Sequence, residues 1–237
     1  SSDTEIPTEW SDEDNLRWKL KLPGKGFSSP IVVGDYVFVT CYSDADGDLV
    51  DLKRHLLCVN RQSGKVAWTK VVPSAAPEIR GPSFGTSHGY ASHTPTSDGE
   101  RVFVMFGNTG VLAYDMTGKL LWQTDVGAEN AAMFGSASSP ILYGDRLIVA
   151  AGAESESIRA LDKKTGEELW KAEGASLSRS YCTPVIGMTR EGKEELLISV
   201  PYEVWSLNPT TGKLNWYAET RVDMNAVPSL LVQDGIC

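Results

Sequence analysis

A serine at position 83 stands in a pattern that could support hydrolysis. Gly81-Pro82-Ser83-Phe84-Gly85 matches the G-x-S-x-G motif, in which a strained strand-to-helix turn exposes a nucleophilic serine. The residues that follow, Thr86 to Tyr90, do not begin a helix with an apolar stripe. The motif therefore predicts a Gly/Pro-rich loop, not a nucleophile.

Alternate acidic residues occur at Asp44, Asp46, Asp48 and Asp51. Carboxylates in such a series are ligands that a hard cation such as calcium prefers. Counted from Asp44, however, leucine stands where a calcium-binding EF-hand loop needs its glycine, and His55 stands where the loop needs its bidentate glutamate. We predict a solvated acidic loop.

Histidine and cysteine are too few and too scattered to predict a metal site. The four cysteines lie far apart without a CxxC pair, and no His/Cys/Asp cluster has zinc-like spacing. His55 follows Arg54 at a predicted strand start, and we expect it at the surface. The sequence therefore predicts no metal ligands and no catalytic residues.

Charge and hydropathy exclude two further classes. Lys and Arg total 22 against 31 acidic residues, and the net charge of −9 would repel a nucleic-acid backbone. No apolar run approaches the roughly 18 residues that a membrane span needs, and Ser1 to Glu5 lacks the features of a signal peptide. We expect a soluble chain.

A repeat organises the whole sequence. Four segments carry an Asx residue, then a glycine and, four positions after it, a tryptophan. The glycines are Gly64, Gly118, Gly166 and Gly212, and the tryptophans are Trp68, Trp122, Trp170 and Trp216. Counted from Trp18, the tryptophans step by 50, 54, 48 and 46 residues, which suits a propeller blade. Each unit starts with Ser-Pro or Thr-Pro, and a looser Val227-Pro228-Ser229 marks a fifth start.

The apolar pattern within a unit predicts four short strands. In the best-defined unit we expect strands at 140–143, 146–151, 157–161 and 168–171. The Asx side chain would bond its own turn, and the glycine would supply a positive φ. Small residues stand two positions before each Asx, where a neighbouring blade must approach: Cys58, Ala113, Ala160 and Ser206. We predict that the tryptophans, Trp18 included, fill the gaps between adjacent blades.

This constellation resembles the tryptophan-docking repeat of pyrroloquinoline-quinone-type (PQQ-like) β-propellers, from about Asn15 to the end of the sequence. The stretch from Pro7 to Pro30 also resembles bacterial PQQ-like proteins similar to the outer-membrane assembly scaffold BamB. The resemblance implies an all-β fold, a β-propeller of four-stranded antiparallel blades.

The units imply a division of the chain into blades. An extension at 1–14 and an outer strand of an incomplete blade at 15–27 precede four complete blades, at 28–72, 92–126, 136–173 and 180–219, and a further blade starts at 225–237. Propellers of this family usually carry seven or eight blades, so the sequence resembles part of a longer one. Missing blades or a second copy would complete the ring, because an open ring leaves strand edges unpaired.

The resemblance leaves two functions open. The catalytic branch of the family holds its quinone over two adjacent cysteines and coordinates calcium, and this sequence has no adjacent cysteine pair. We therefore favour a non-catalytic scaffold for protein partners in the cell envelope, without a cofactor. Its periplasmic or other extracytoplasmic location is implied by the resemblance alone. The alternative is part of a PQQ- and calcium-dependent quinoprotein oxidoreductase.

Links from an outer strand to the next inner strand gather at one mouth of a propeller, where loops usually carry function. We predict that residues of these links form a rim that contacts a partner or a ligand. The rim residues are His88, Tyr90, Asn130, Arg179, Asp223 and Asn225. His93 lies in the same link as His88. In the alternative interpretation, Tyr90, Phe134 and Tyr181 only pack the inner ends of the blades, since they precede each proline by similar offsets.

Overall fold

Each repeat unit folds into one four-stranded antiparallel sheet, with its strands in chain order. The computed structural model describes residues 7–45, 49–74, 90–128, 134–221 and 223–237. We call the four sheets blades 1 to 4. The predicted all-β fold of four-stranded blades is confirmed.

The strands are short, as the sequence pattern predicts. Blade 1 contains β1 (Ile31–Val33), β2 (Tyr36–Ser43), β3 (Lys53–Asn60) and β4 (Val66–Pro73). Blade 2 contains β5 (Thr96–Ser97), β6 (Arg101–Met105), β7 (Val111–Asp115) and β8 (Leu120–Thr124). Blade 3 contains β9 (Ile141–Tyr143), β10 (Arg146–Ala151), β11 (Ser157–Asp162) and β12 (Glu168–Glu173). Blade 4 contains β13 (Val185–Met188), β14 (Glu194–Val200), β15 (Glu203–Leu207) and β16 (Leu214–Glu219).

Short helical turns occupy several of the connections. One turn of α-helix, α1 (Gly152–Ser155), joins β10 to β11, and Glu156 ends it with a φ of 48°. Turns of 3₁₀-helix lie at Leu49–Asp51, Gly107–Thr109 and Ala175–Arg179. Sequence periodicity does not reveal such elements, because a single turn is too short to show a 3.6-residue period.

The small residue of each unit is the cross-strand partner of the tryptophan. The pairs are Cys58 with Trp68, Ala113 with Trp122, Ala160 with Trp170 and Ser206 with Trp216, and the register shifts immediately after each pair. Directly opposed residues share a face of the sheet. Cys58, Ala113 and Ala160 each share a hydrophobic cluster with their tryptophan, so a larger side chain there would compete with the indole for the same space.

The hydrophobic cores lie between consecutive blades. One cluster joins Phe38 and Leu56 of blade 1 to Val104 and Leu112 of blade 2. Equivalent clusters join blade 2 to blade 3 and blade 3 to blade 4. Each blade is therefore stabilised by its neighbours, as in other repeat architectures.

The described residues before β1 and after β16 contain no β-strand. Within the expected outer strand at 15–27, only Lys25 forms a bridge, to Tyr42, although Trp18 and Leu20 pack on blade 1. An outer strand needs a hydrogen-bonded neighbour in its own blade. Residues 225–237 form only isolated bridges, one of them between Ala226 and Ser180.

Candidate functional site

Four tryptophans lie against the glycine of the next turn along the array. A Cβ added to Gly64, Gly118, Gly166 or Gly212 would come within 2.4–2.9 Å of an indole atom of Trp18, Trp68, Trp122 or Trp170, respectively. These contacts leave room for glycine only. The indoles thereby join each blade to the element before it.

Each of these indoles also donates one hydrogen bond across the interface. The acceptor is always the carbonyl of the residue after the Asx. The pairs are Trp18 to Arg61 (2.8 Å), Trp68 to Met116 (3.0 Å), Trp122 to Lys163 (3.2 Å) and Trp170 to Pro209 (3.2 Å). A buried indole N–H usually needs such a partner.

The turn that receives the indole is shaped by its first and last residues. The Oδ1 atom of Asp162 accepts hydrogen bonds from the backbone N–H groups of Lys164 (2.7 Å) and Thr165 (2.9 Å). Gly166 closes the turn with a φ of 76°, a conformation that glycine adopts readily. The Thr165 contact is the main reason that the pKa of Asp162 lies below its ordinary value.

The hydroxyl at the start of each unit forms a second link, which was not predicted from the sequence. The backbone N–H of one such residue donates to the hydroxyl of the next. The bonds are Ser29 to Thr94 (3.0 Å), Thr94 to Ser139 (2.9 Å), Ser139 to Thr183 (3.1 Å) and Thr183 to Ser229 (3.0 Å). The signal was the Ser or Thr beside every starting proline. We call this series the hydroxyl ladder.

The predicted rim lies at the end of the blades where the outer-to-inner links and the connections between second and third strands meet. Beneath it lies a buried polar cluster. Arg54 is 2% exposed and donates to Thr109 Oγ1 (3.0 Å) and to the carbonyl of Tyr90 (2.9 Å). Glu154 is 1% exposed. A Cβ on Gly107 would lie 3.6 Å from Glu154 Oε1 and 3.8 Å from Arg54 Nη2, so the two opposite charges converge there.

His93 belongs to this buried cluster and does not reach the surface. Its side chain is 3% exposed, and its Nε2 atom lies 2.7 Å from Ser136 Oγ. Burial, assisted by the charge of Arg54, lowers the pKa of His93 to about 3. The imidazole is neutral near pH 7 and serves as a packed polar group.

Three exposed side chains on blade 4 and its links come together at the rim. Tyr202 Oη donates to Asp223 Oδ1 (3.2 Å), and this bond is the main reason that the pKa of Tyr202 lies above its ordinary value. The charge of Arg179 acts on Tyr202 in the opposite direction. We call Arg179, Tyr202 and Asp223 the rim triplet.

Backbone contacts hold the rim triplet in place. The N–H of Ala226 donates to the carbonyl of Arg179 (3.0 Å), and the N–H of Tyr181 donates to the carbonyl of Ala226 (2.8 Å). Asn225, half-buried, precedes this junction. Tyr202 was not predicted from the sequence, because it follows Pro201 in the turn between β14 and β15 and does not belong to an outer-to-inner link.

The remaining rim aromatics make ring contacts with each other and with the blades. Tyr90 packs edge-on against Tyr42 with ring centroids 5.5 Å apart. Phe134 and Tyr181 pack at 5.9 Å, and Phe134 is 38% exposed. Tyr90 thus packs on blade 1, away from the rim triplet.

Several residues singled out in the sequence lie outside the described residues: His88, Asn130, Ser83 with its flanking glycines, Asp46 and Asp48. Asp44 is described, and it accepts hydrogen bonds from Lys53 Nζ (3.0 Å) and Ser43 Oγ (3.2 Å). Both bonds lower the pKa of the Asp44 carboxyl, and the bond from Lys53 has the larger effect.

His55 is not at the surface, contrary to expectation. It lies inside β3, is 7% exposed, and its Nε2 atom is 2.9 Å from Ser43 Oγ. Burial lowers its pKa. The expectation failed because β3 begins at Lys53 and is covered along almost its whole length.

The donor groups in the described part of the chain do not fit a calcium-bound quinone. Calcium takes six to eight oxygen ligands, several of them from carboxylates. Among the described residues, no three His, Cys, Asp or Glu side chains are grouped closely enough to hold a metal ion. Cys41, Cys58 and Cys182 are separate buried thiols, and Cys237 is exposed.

Within the same residues, no helix has the length and apolar character needed to cross a membrane.

Residues 53–234 match the family model described as outer membrane protein assembly factor BamB. The chain belongs to this BamB-like family. The match begins at β3 of blade 1 and extends through blades 2 to 4 into the segment that follows β16. No curated protein sequence matches the chain significantly.

Solved structures share the fold at low sequence identity. BamB from Moraxella catarrhalis superimposes with a TM-score of 0.59 and 18% identity, over 87% of this chain and 55% of that one. Quinohemoprotein alcohol dehydrogenase from Comamonas testosteroni has a TM-score of 0.54 and 15% identity, over 85% of this chain and 36% of the enzyme. The chain thus spans about half the length of the BamB structure. These likenesses show a propeller fold.

Proposed function

We propose that this BamB-like chain is a non-catalytic scaffold that binds protein partners in the cell envelope and takes part in outer-membrane protein assembly. Family membership supports this proposal. The observation that carries it is the rim triplet with its neighbour Met224. Tyr, Arg and Met are enriched at the centres of protein interfaces, where they supply large contact areas.

The rim is suited to binding because its exposed groups are held by the backbone. Tyr202 is 54% exposed and Met224 is 55% exposed, while the junction through Ala226 beneath them is fully buried. A surface that is already ordered loses little side-chain and loop entropy when a partner binds. The partner would present an apolar patch for Tyr202 and Met224, with polar groups for Arg179 and Asp223.

A photo-crosslinking residue at position 202 tests this proposal. In envelope extracts we expect discrete protein adducts from Tyr202, and few from the same residue at Tyr217, which is 59% exposed on β16. Arg179→Ala with Asp223→Ala should weaken capture about tenfold or more, since truncating one interface hot spot costs about 2 kcal/mol or more and each 1.4 kcal/mol is a factor of ten. The control Lys213→Ala lies on an exposed turn at the opposite end of blade 4 and should leave capture unchanged. Identical adducts at both tyrosines would contradict the proposal.

The alternative is that the chain forms part of a PQQ- and calcium-dependent oxidoreductase. Its support is likeness of fold to quinohemoprotein alcohol dehydrogenases, and the donor groups of the described residues do not fit the metal. Titration of the chain with PQQ and Ca²⁺ separates the two functions. Stoichiometric quinone uptake with dye-linked alcohol oxidation would replace the scaffold proposal.

A further inference from the structure

Tyr202 has a backbone conformation that an aromatic residue rarely adopts. Its φ is 65°, in the left-handed region. Four other non-glycine residues in the described part of the chain have a positive φ: Asn15, Asp44, Glu156 and Asp234. Asn and Asp tolerate this region because their short side chains bond the local backbone, and Glu156 ends a helix. Neither reason applies to Tyr202, so its backbone is strained.

The strain arises from the turn that joins β14 to β15. Val200 and Glu203 are paired across this turn, so only Pro201 and Tyr202 connect the two strands. Proline holds its own φ near −65°, and a positive φ at the next position gives the arrangement of a type II turn. Glycine is the residue that this position favours, because it has no Cβ.

The other tight turns of the described blades use glycine for this purpose. All eight turns that join a first to a second strand or a third to a fourth strand contain a glycine with a positive φ. These glycines are Gly34, Gly64, Gly99, Gly118, Gly144, Gly166, Gly192 and Gly212. The turn between β14 and β15 differs from them because a tyrosine has the positive φ.

The contacts of Tyr202 within the fold do not account for this tyrosine. Its side chain is 54% exposed, so it fills no hydrophobic core. Its hydroxyl donates to Asp223 Oδ1 at an exposed position, where water competes for both groups. Strained residues of this kind cluster at functional sites. The strain therefore points to a role in binding.

The surroundings of Tyr202 restrict the group that can bind to it. Asp223 Oδ1 accepts the Tyr202 hydroxyl and also the backbone N–H of Met224 (2.6 Å), so the hydroxyl is tied to the backbone. The exposed surface of Tyr202 is then its ring, next to the exposed side chain of Met224. The positive charge of Arg179 acts on Tyr202 and disfavours a cationic group there. An apolar side chain fits these conditions.

We propose that Tyr202 is the specificity-determining residue of the rim, and that its ring receives an apolar side chain of the protein partner. This inference rests on the proposed scaffold function. Asp223 is a positioning residue, because it fixes the ring through the hydroxyl. The turn gives up stability in order to present an aromatic surface that is ordered before the partner binds.

Thermal unfolding tests the strain by itself. Tyr202→Ala keeps a Cβ at the left-handed position and Tyr202→Gly removes it, while both variants lack the ring. We expect the glycine variant to melt about 2–4 °C above the alanine variant. Glu156→Ala and Glu156→Gly form a matched pair at another left-handed residue and should differ in the same direction. Equal melting temperatures for the two Tyr202 variants would overturn the proposal.

A photo-crosslinking residue in place of Met224 tests recognition in envelope extracts. We expect its adducts to fall about tenfold or more in Tyr202→Gly, because the ring is lost. Tyr202→Phe keeps the ring and should retain most of the adducts. Glu156→Gly relieves strain at another turn and should leave their yield unchanged.

The positioning role of Asp223 is tested by a signal from Tyr202 itself. Asp223→Ala should lower the pKa of the Tyr202 hydroxyl towards its ordinary value, as measured from the NMR signal of the ring carbon that bears it. Asp223→Ala should also reduce the adducts at position 224, and Asp223→Asn, which keeps an oxygen acceptor, should restore them. Equal adduct yields in the two variants would overturn the positioning role.

Failure of this proposal is distinguishable from failure of the scaffold function. Absence of adducts from the parent chain at both position 202 and position 224 would overturn the scaffold function, and this proposal with it. Adducts at position 224 that are indifferent to Tyr202→Gly would overturn only the role of Tyr202. An equal loss in Tyr202→Phe and Tyr202→Gly would show that the partner recognises the hydroxyl and not the ring.

Discussion

At the scale of the residue, the conspicuous side chains of this protein serve contacts between blades. The indoles of Trp18, Trp68, Trp122 and Trp170 each combine a glycine contact with one hydrogen bond to a backbone carbonyl. A buried aromatic contributes several kcal/mol through burial and close packing. The rim residues, in contrast, differ in type from one unit to the next.

The contact between Gly166 and Trp122 can be measured against a matched glycine. Gly166→Ala would place a Cβ 2.6 Å from the indole, whereas Gly144, which also has a positive φ, has no atom within 4 Å. Both substitutions carry the cost of a left-handed alanine, about 1–2 kcal/mol. We expect Gly166→Ala to lower the free energy of unfolding by about 1–3 kcal/mol more than Gly144→Ala, in denaturant titrations. Equal losses would contradict the contact.

Asp162 predicts a pH dependence that asparagine should remove. Its pKa is lowered in the folded chain, chiefly by the Thr165 N–H. Its stabilising contribution is therefore complete above the unfolded pKa of about 4 and is lost as pH falls through the lower folded pKa. Asparagine forms the equivalent turn bonds at Asn60 and Asn208.

We expect Asp162→Asn to fold normally at pH 7 and to lose less stability than the parent chain between about pH 5 and pH 2. Thermal unfolding across that range measures the effect. An acid profile identical to that of the parent would show that Asp162 does not contribute to it.

At the scale of the element, two kinds of link hold successive blades in register. The indoles act at the outer strands, and the hydroxyl ladder acts at the inner strands. The ladder bonds fix one backbone N–H per unit to a side chain of the next. Because both links recur in every unit, adjacent blades keep one relative orientation along the array.

A single rung of the ladder can be removed without changing the shape of the residue. Thr183→Val deletes the acceptor for the Ser139 N–H, and Thr183→Ser keeps it. We expect the valine variant to lose about 0.5–1.5 kcal/mol of unfolding free energy and the serine variant to lose less. Hydrogen exchange at the Ser139 amide should accelerate only in the valine variant. Unchanged exchange would show that the rung is not formed in solution.

At the scale of the whole molecule, the chain is an array of blades, and the position of a residue in the array decides how much it stabilises the fold. Trp122 lies between two blades, whereas Trp216 lies on an open face with a third of its side chain or more in solvent. Hydrophobic stabilisation follows the apolar area removed from water. Tryptophans at equivalent positions of the repeat therefore contribute different amounts to the free energy of unfolding.

Trp122→Ala and Trp216→Ala test this inequality. We expect the first to lower the unfolding free energy by about 3–5 kcal/mol and the second by about 1 kcal/mol or less. Equilibrium denaturation of both variants gives the comparison. A loss below about 1 kcal/mol for Trp122→Ala would contradict its role between the blades.

The local elements of this protein follow from its sequence. The strands of blade 3 lie within two residues of the predicted ones, and the Asx-to-Gly turns carry the expected positive φ at Gly64, Gly118, Gly166 and Gly212. The alternation of apolar and polar residues and the choice of turn residues are short-range properties, so they can be recognised within a single unit. The repeat then implies the stacking of units and the propeller family.

Tertiary structure alone decided the contents of the site. His55 and His93 are buried, Tyr202 lies with Arg179 and Asp223, and Arg54 of blade 1 and Glu154 of blade 3 approach the same point beside Gly107. Each of these facts depends on which segments pack together across tens of residues, and no local pattern encodes that. The sequence by itself determined the blades and their order, whereas the packing between blades determined which polar groups became interior and which remained available to a partner.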